Sequence, residues 1–247
     1  MKHFLERDKR KKIGIICGSG PEAGIYLWNL IIKKTRILFG DKFEGDIDMP
    51  HVLIISDPRL GESMEIRDQT QKNRLWEYLD EDIRQIEGQV DYFVIACYTL
   101  HVFEPEIIAI PERKKIFVSL IQCLKEALQE IEEPRIALFH ASVLSSEKCP
   151  LHLNIGHLKE IELPVNGSEM RDLILSVKNN GSDDKDYEEK FAALITACES
   201  DTVVLACTEL PLINPLNSSK RYINCMDIVA ERLVNNISVV SYTTNVI

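Results

Sequence analysis

The chain has no surplus of positive charge, no long apolar run and no Cys-x-x-Cys pair of the kind that anchors zinc. Its net charge is −10 at neutral pH. Nucleic acid and anionic membrane surfaces both call for a basic face, so neither is expected as the main partner. The basic start, Lys2 to Lys12, leads into an apolar run of only five residues, Ile13 to Cys17, before Gly18. That run is too short for the core of a secretory signal or for a membrane span. No Cys-x-x-Cys or His-x-x-x-His pair occurs, so a zinc site has no usual anchor and no metal is expected. Low-complexity tracts are also missing. The seven cysteines are an odd number in a long chain, which argues against a disulfide framework and for free thiols in a reducing cytoplasm.

What is present is ordinary for a folded enzyme. A chain of 247 residues, 45% hydrophobic and 28% charged, can bury a substantial core in one large domain or two small ones. Short apolar runs read as buried parallel strands at Ile13–Cys17, Val52–Ser56, Tyr92–Cys97, Ile116–Leu120, Ile136–Phe139, Ile161–Pro164 and Thr202–Cys207. Between them lie stretches with helical spacing, such as Leu75, Trp76, Leu79, Ile83 and Ile86, or Tyr187, Phe191, Leu194, Ile195 and Cys198. Pro21 sits where a helix would open, Asn179 to Asp184 reads as a loop, and a last helix runs from about Met226 to Val240. This alternation predicts an α/β fold with parallel sheets, and a sequence pattern that occurs twice extends the expectation to two pseudo-symmetric doubly wound domains with a cleft between them. A hinge near Val118–Gln122 puts 1–118 and 208–247 in the first domain and 119–207 in the second.

One pattern occurs twice. Asp91 to Leu100 and Asp201 to Leu210 share Asp, Val, Ala, Cys and Leu at the same offsets. Each copy is an acidic residue, an apolar run, and a cysteine where polar residues begin. In open α/β sheets ligands bind beyond the carboxyl ends of the strands, where Cys97 and Cys207 would face one cleft. Two thiols so placed suit a reaction that removes one proton and adds another. If each strand leads into a helix, the helix dipole lowers the thiol pKa. The other cysteines read as small core hydrophobes: Cys123 and Cys198 on apolar helix faces, and Cys17, Cys149 and Cys225 elsewhere.

These residues resemble the cofactor-independent aspartate/glutamate racemase family. Ile13 to Ala23 is similar to that family's first strand and glycine loop, with Gly20-Pro21-Glu22-Ala23 intact. Cys97-Tyr98-Thr99-Leu100-His101 is similar to its first cysteine motif, and Ala206-Cys207-Thr208-Glu209 to its second. Glu209 favours the aspartate branch, since glutamate racemases carry His there. The resemblance implies a homodimer without pyridoxal, acting on a small acidic amino acid. Cys97 and Cys207 would be the catalytic acid/base pair. Ser19, Gly20, Thr99 and Thr208 would gather around the α-carboxylate, with Tyr98 also against the substrate. Arg59, at the end of the second strand, and Lys178 would take the side-chain carboxylate. His101 reads as a structural hydrogen-bonder rather than a catalyst, and Glu209 as a support for Cys207 or a helix-start acid.

There are departures. Tyr98 stands where the family has Asn, Ser19 where it has Met, and His140–Gly156 lacks the family's threonine pattern. Other readings stay open: an isomerase or decarboxylase of small dicarboxylic acids on the same scaffold, or a catalytically silent protein that binds an acidic metabolite. A dinucleotide site at Gly18 to Ala23 is disfavoured, because the acidic residue ending the next strand, Asp57, comes too late. A Cys–His hydrolase leaves Cys207 unexplained.

Overall fold

The computed structural model describes residues 9–141, 150–164, 167–213 and 219–238. Strands and helices follow in the order β1 (Ile13–Cys17), α1 (Pro21–Phe39), β2 (Val52–Ser56), α2 (Gln69–Ile86), β3 (Tyr92–Ile95), α3 (Glu104–Ile108), α4 (Pro111–Ile116), α5 (Leu120–Gln129), β4 (Arg135–Phe139), α6 (Pro150–Ile155), β5 (Glu160–Glu162), α7 (Gly167–Asn180), α8 (Lys185–Thr196), β6 (Thr202–Leu205), β7 (Arg221–Asn224) and α9 (Cys225–Ser238). Cys149 and the tail beyond Ser238, including the expected helix end at Val240, lie outside the described residues, as do residues 142–149 of the stretch from His140 to Gly156.

The fold is α/β with two sheets, ordered β2-β1-β3 and β5-β4-β6-β7. All pairings between strands are parallel. The first three strands of each sheet in chain order take the same arrangement, with the earliest in the middle. The correspondence extends to the backbone: Ala96 N–H donates to the carbonyl of Ile16, and Ala206 N–H to that of Phe139, both at 2.8 Å. The doubled sequence thus marks equivalent points just past β3 and β6.

Strand alternation builds the layers. On β4, Ile136 and Leu138 point into one core while Ala137 and Phe139 point into another, as the period of two requires. The central core lies between the sheets: it joins Ile15 and Val94 of the first sheet to Leu138 and Val204 of the second, through α1, α5 and α9. Outside it, α7 and α8 cover the far face of the second sheet, and α2 covers that of the first. Helix α9 packs along α1 and α5.

One expected strand fails and one strand was not read. Ile116–Leu120 is not a strand. Pro111 opens α4 at its first turn, and the Ser119 hydroxyl caps α5 by accepting from the Gln122 amide. That leaves Phe117 with a single bridge to Phe93. Conversely, β7 went unread because Arg-Tyr-Ile-Asn carries little apolar signal; it extends the second sheet beside β6, although it falls in the 208–247 stretch expected with the first half.

Candidate active site

The glycine loop after β1 makes room for the site. Gly18 and Gly20 both have positive φ, 125° and 99°, which side chains other than glycine's rarely adopt. A Cβ on Gly18 would lie 2.0 Å from the Asp57 carbonyl oxygen, and one on Gly20 would lie 2.2 Å from Glu209 Oε1. The second clash shows how closely the first loop approaches the second cysteine motif. Pro21 then starts α1, as its fixed φ permits.

Cys97 and Cys207 line one buried cavity together with Met64, Tyr98, Thr99, Lys178, Thr208 and Glu209. The free space measures about 10 Å³, room for roughly one water. Met64 also borders an open depression of about 520 Å³ whose walls include Glu65, Arg74 and Arg171.

The two thiols have different surroundings. Cys97 Sγ lies 2.8 Å from Thr99 Oγ1 and 4.0 Å from Ser63 Oγ. Thr99 donates to Ser63 at 3.1 Å, and Ser63 contacts Ser19 at 2.8 Å. Cys207 instead donates to Glu209 Oε2 at 3.0 Å, which Thr208 also approaches at 3.2 Å. Burial first, and then the Glu209 charge, push the Cys207 thiol well above its usual pKa. Lys178 Nζ sits between the halves, 2.8 Å from Glu209 Oε1 and 3.5 Å from Ser19 Oγ. Burial works against its ammonium, but Glu209 and the two cysteines prevail and raise its pKa.

The helix-dipole expectation is not met. Each cysteine is followed by a short 3₁₀ turn, Thr99–Phe103 and Leu210–Leu212, and neither turn has a side-chain cap. Such turns align too few peptide units for a strong end charge.

Tyr98 borders the cavity, yet its phenol turns into the central core and donates to the Leu120 carbonyl at 3.3 Å. Burial, then its neighbour Cys225, raises its pKa well above the usual phenol value. The bulk of the ring is thus absorbed by the core. His101 is fully buried. Its Nε2 accepts from the Leu120 amide at 3.0 Å, so Nδ1 carries the proton donated to the Cys97 carbonyl at 2.9 Å. Burial holds this imidazole neutral, with its pKa lowered to about 4. It ties the Cys97 turn to the start of α5. Arg59 is not brought to the cavity. Its guanidinium is held by Asp57 at 2.7 Å and Glu81 at 3.0 Å, stacks on Tyr78, and is 43% exposed. Asp57 caps the turn that carries Arg59 and so captures its side chain.

Ser63 and Met64 were invisible to sequence reading, because the turn Pro58–Met64 carries no motif or periodicity. Among the described residues, no group of three His, Cys, Asp or Glu is placed to hold a metal ion. No helix there is long and apolar enough to cross a membrane.

The family model for Asp/Glu/hydantoin racemases matches residues 42–233. The chain belongs to that family. Membership supports racemase function. Solved structures carry the same fold. An aspartate racemase from Picrophilus torridus is 22% identical with a TM-score of 0.76, covering 92% of this chain and 94% of its own. An aspartate racemase homologue from Pyrococcus horikoshii is 20% identical with a TM-score of 0.65, covering 92% of this chain and 99% of its own. A glutamate racemase isoform from Bacillus anthracis is 15% identical with a TM-score of 0.66, covering 92% of this chain and 82% of its own. Among curated proteins, none matches.

Proposed function

We propose that this racemase inverts an acidic amino acid, aspartate before glutamate, using Cys97 and Cys207 as its acid/base pair without pyridoxal. The observation that carries the reading is the placement of both cysteines, at equivalent strand ends, in one buried cavity. One thiolate removes the Cα proton, the other thiol protonates the opposite face, and the roles reverse for the other enantiomer. Two thiolates in one small cavity repel each other, so the pair works with one proton between them. In this reading the α-carboxylate and the charge that develops beside it are received by the hydroxyls of Thr99 and Thr208, which line the cavity, and by Ser19 and the Gly20 backbone behind them. Lys178 is the cation at hand for the side-chain carboxylate. Arg59 reaches it only by leaving Asp57 and Glu81.

Space of about 10 Å³ cannot hold an amino acid, so the cleft opens to admit substrate, with Met64 standing between the cavity and the open depression. In the cell we place the chain in the cytoplasm, as a homodimer. The experiment is incubation with L- and D-aspartate in D₂O. Cα deuterium should appear together with loss of optical rotation. The pairing of Lys178 with Glu209 favours a second reading, a silent binder, because the cation is already neutralised. A thermal shift with aspartate but no Cα exchange would decide for that reading.

A further inference from the structure

A two-thiol racemase has a bookkeeping problem after each turnover. If Cys97 has taken the Cα proton and Cys207 has given one up, the enzyme is left in the opposite protonation state. It cannot process the same enantiomer again until a proton returns from Cys97 to Cys207. Both thiols are at least 95% buried, and the cavity has space for little more than one water. While the cleft is closed, solvent is therefore poorly placed to carry that proton.

We propose that protein groups carry it, along a path of close polar contacts from one cysteine to the other through Thr99, Ser63, Ser19, Lys178 and Glu209. This rests on the two-cysteine reading above. The links are short. Cys97 Sγ to Thr99 Oγ1 is 2.8 Å, Thr99 to Ser63 is 3.1 Å, and Ser63 to Ser19 is 2.8 Å. Ser19 to Lys178 Nζ is the loosest, at 3.5 Å. Lys178 to Glu209 Oε1 is 2.8 Å, and Glu209 Oε2 to Cys207 Sγ is 3.0 Å.

The reset balances. The Lys178 ammonium gives a proton to Glu209, whose carboxyl turns and passes it to the Cys207 thiolate. The neutral Lys178 amine takes a proton from Ser19, Ser19 from Ser63, Ser63 from Thr99, and Thr99 from Cys97. One S–H bond breaks at Cys97 and one forms at Cys207. Every group between regains its original state, and no charge leaves the site.

Ser63 is the member of the path with no assigned part in binding or proton abstraction, so it is the place to cut. Ser63→Ala removes the hydroxyl that joins Thr99 to Ser19. With enzyme in excess over L-aspartate, the first turnover should keep the wild-type rate. Steady-state kcat should fall by about 100-fold, the lower end of what a positioned proton-transfer group contributes. Imidazole should restore kcat by carrying the proton externally, and Ser63→Cys, which keeps a protonic group, should stay close to wild type. Wild-type kcat should not respond to imidazole, and this arm stands even if the alanine variant folds poorly. The relay is overturned if Ser63→Ala lowers first turnover and kcat together, if it changes neither, or if imidazole accelerates the wild type. Absence of Cα exchange by the wild type with any acidic amino acid would instead sink the racemase reading, and the relay with it.

Discussion

Glu209→Gln is a near-isosteric change that removes one charge from the centre of the site. The carboxylate it replaces holds Lys178 at 2.8 Å and accepts from Cys207 at 3.0 Å, and both charged partners are largely buried, with side-chain exposures of 14% and 5%. Removing one member of a buried ion pair strands the other. The cost is about 3–5 kcal/mol when nothing relaxes, and the low end applies here because a glutamine oxygen can still accept from Lys178. At about 2–4 °C per kcal/mol for a chain of this size, the melting temperature should drop by about 10 °C. The chemical consequence has the opposite sign. After burial, the Glu209 charge is the next cause of the raised Cys207 pKa, and Lys178 pulls that pKa down. Glu209→Gln removes the first influence and leaves the second unopposed. Cys207 should therefore ionise more readily and be alkylated faster by iodoacetamide at pH 8, as peptide mass spectrometry can quantify against Cys225 in the same sample. A variant that melts like the wild type and labels no faster at Cys207 would refute the electrostatic account of this half of the site.

Other perturbations discriminate further features. Because Arg59 is held by Asp57 and Glu81 outside the cavity, Arg59→Ala should leave KM for aspartate nearly unchanged, whereas Lys178→Met should raise it sharply; steady-state kinetics with both variants decides between the two cations. Asp82 is buried, has one carboxylate oxygen without a hydrogen-bond partner, and has its pKa raised to about 6 by burial and then by Asp57. A folded-state pKa above the unfolded one means that the native protein holds this proton more tightly, so stability is present below about pH 4 and declines as pH rises through about 6. Asp82→Asn should accordingly stabilise the protein by on the order of 1–2 kcal/mol at pH 7.5 once solvent screening is allowed for, and by almost nothing at pH 4. Equal melting shifts at the two pH values would contradict this.

The α/β class and the doubled cysteine were legible because both rest on signals confined to short windows. The run Ile13–Cys17 became a strand as read, since a parallel strand covered on both sides is a nearly continuous apolar segment, and Val52–Ser56 became one at the sheet edge, where it stays partly exposed. Ile116–Leu120 looked alike but was claimed by the ends of two helices, a competition that hydrophobicity does not register. At the site, position along a strand located Cys97 and Cys207, and the resemblance added Lys178, Thr99 and Thr208, all of which line the cavity. Three features depended on contacts distant in sequence. Arg59 was lost to Asp57 and to Glu81, 22 residues away. Tyr98 found room in a core built from α5 and α9. Ser63 joined Cys97, 34 residues on, through a turn that has no pattern of its own.

The central claim is that Cys97 and Cys207 share the proton chemistry at Cα. Its most direct test follows Cα deuterium incorporation and optical rotation for each enantiomer of aspartate in D₂O, with Cys97→Ser and Cys207→Ser beside the wild type. The account predicts that the wild type exchanges and racemises both enantiomers, and that each variant loses racemisation while at most retaining exchange with one enantiomer, the one whose proton the surviving thiolate can reach. Racemisation at the wild-type rate by either variant would contradict it.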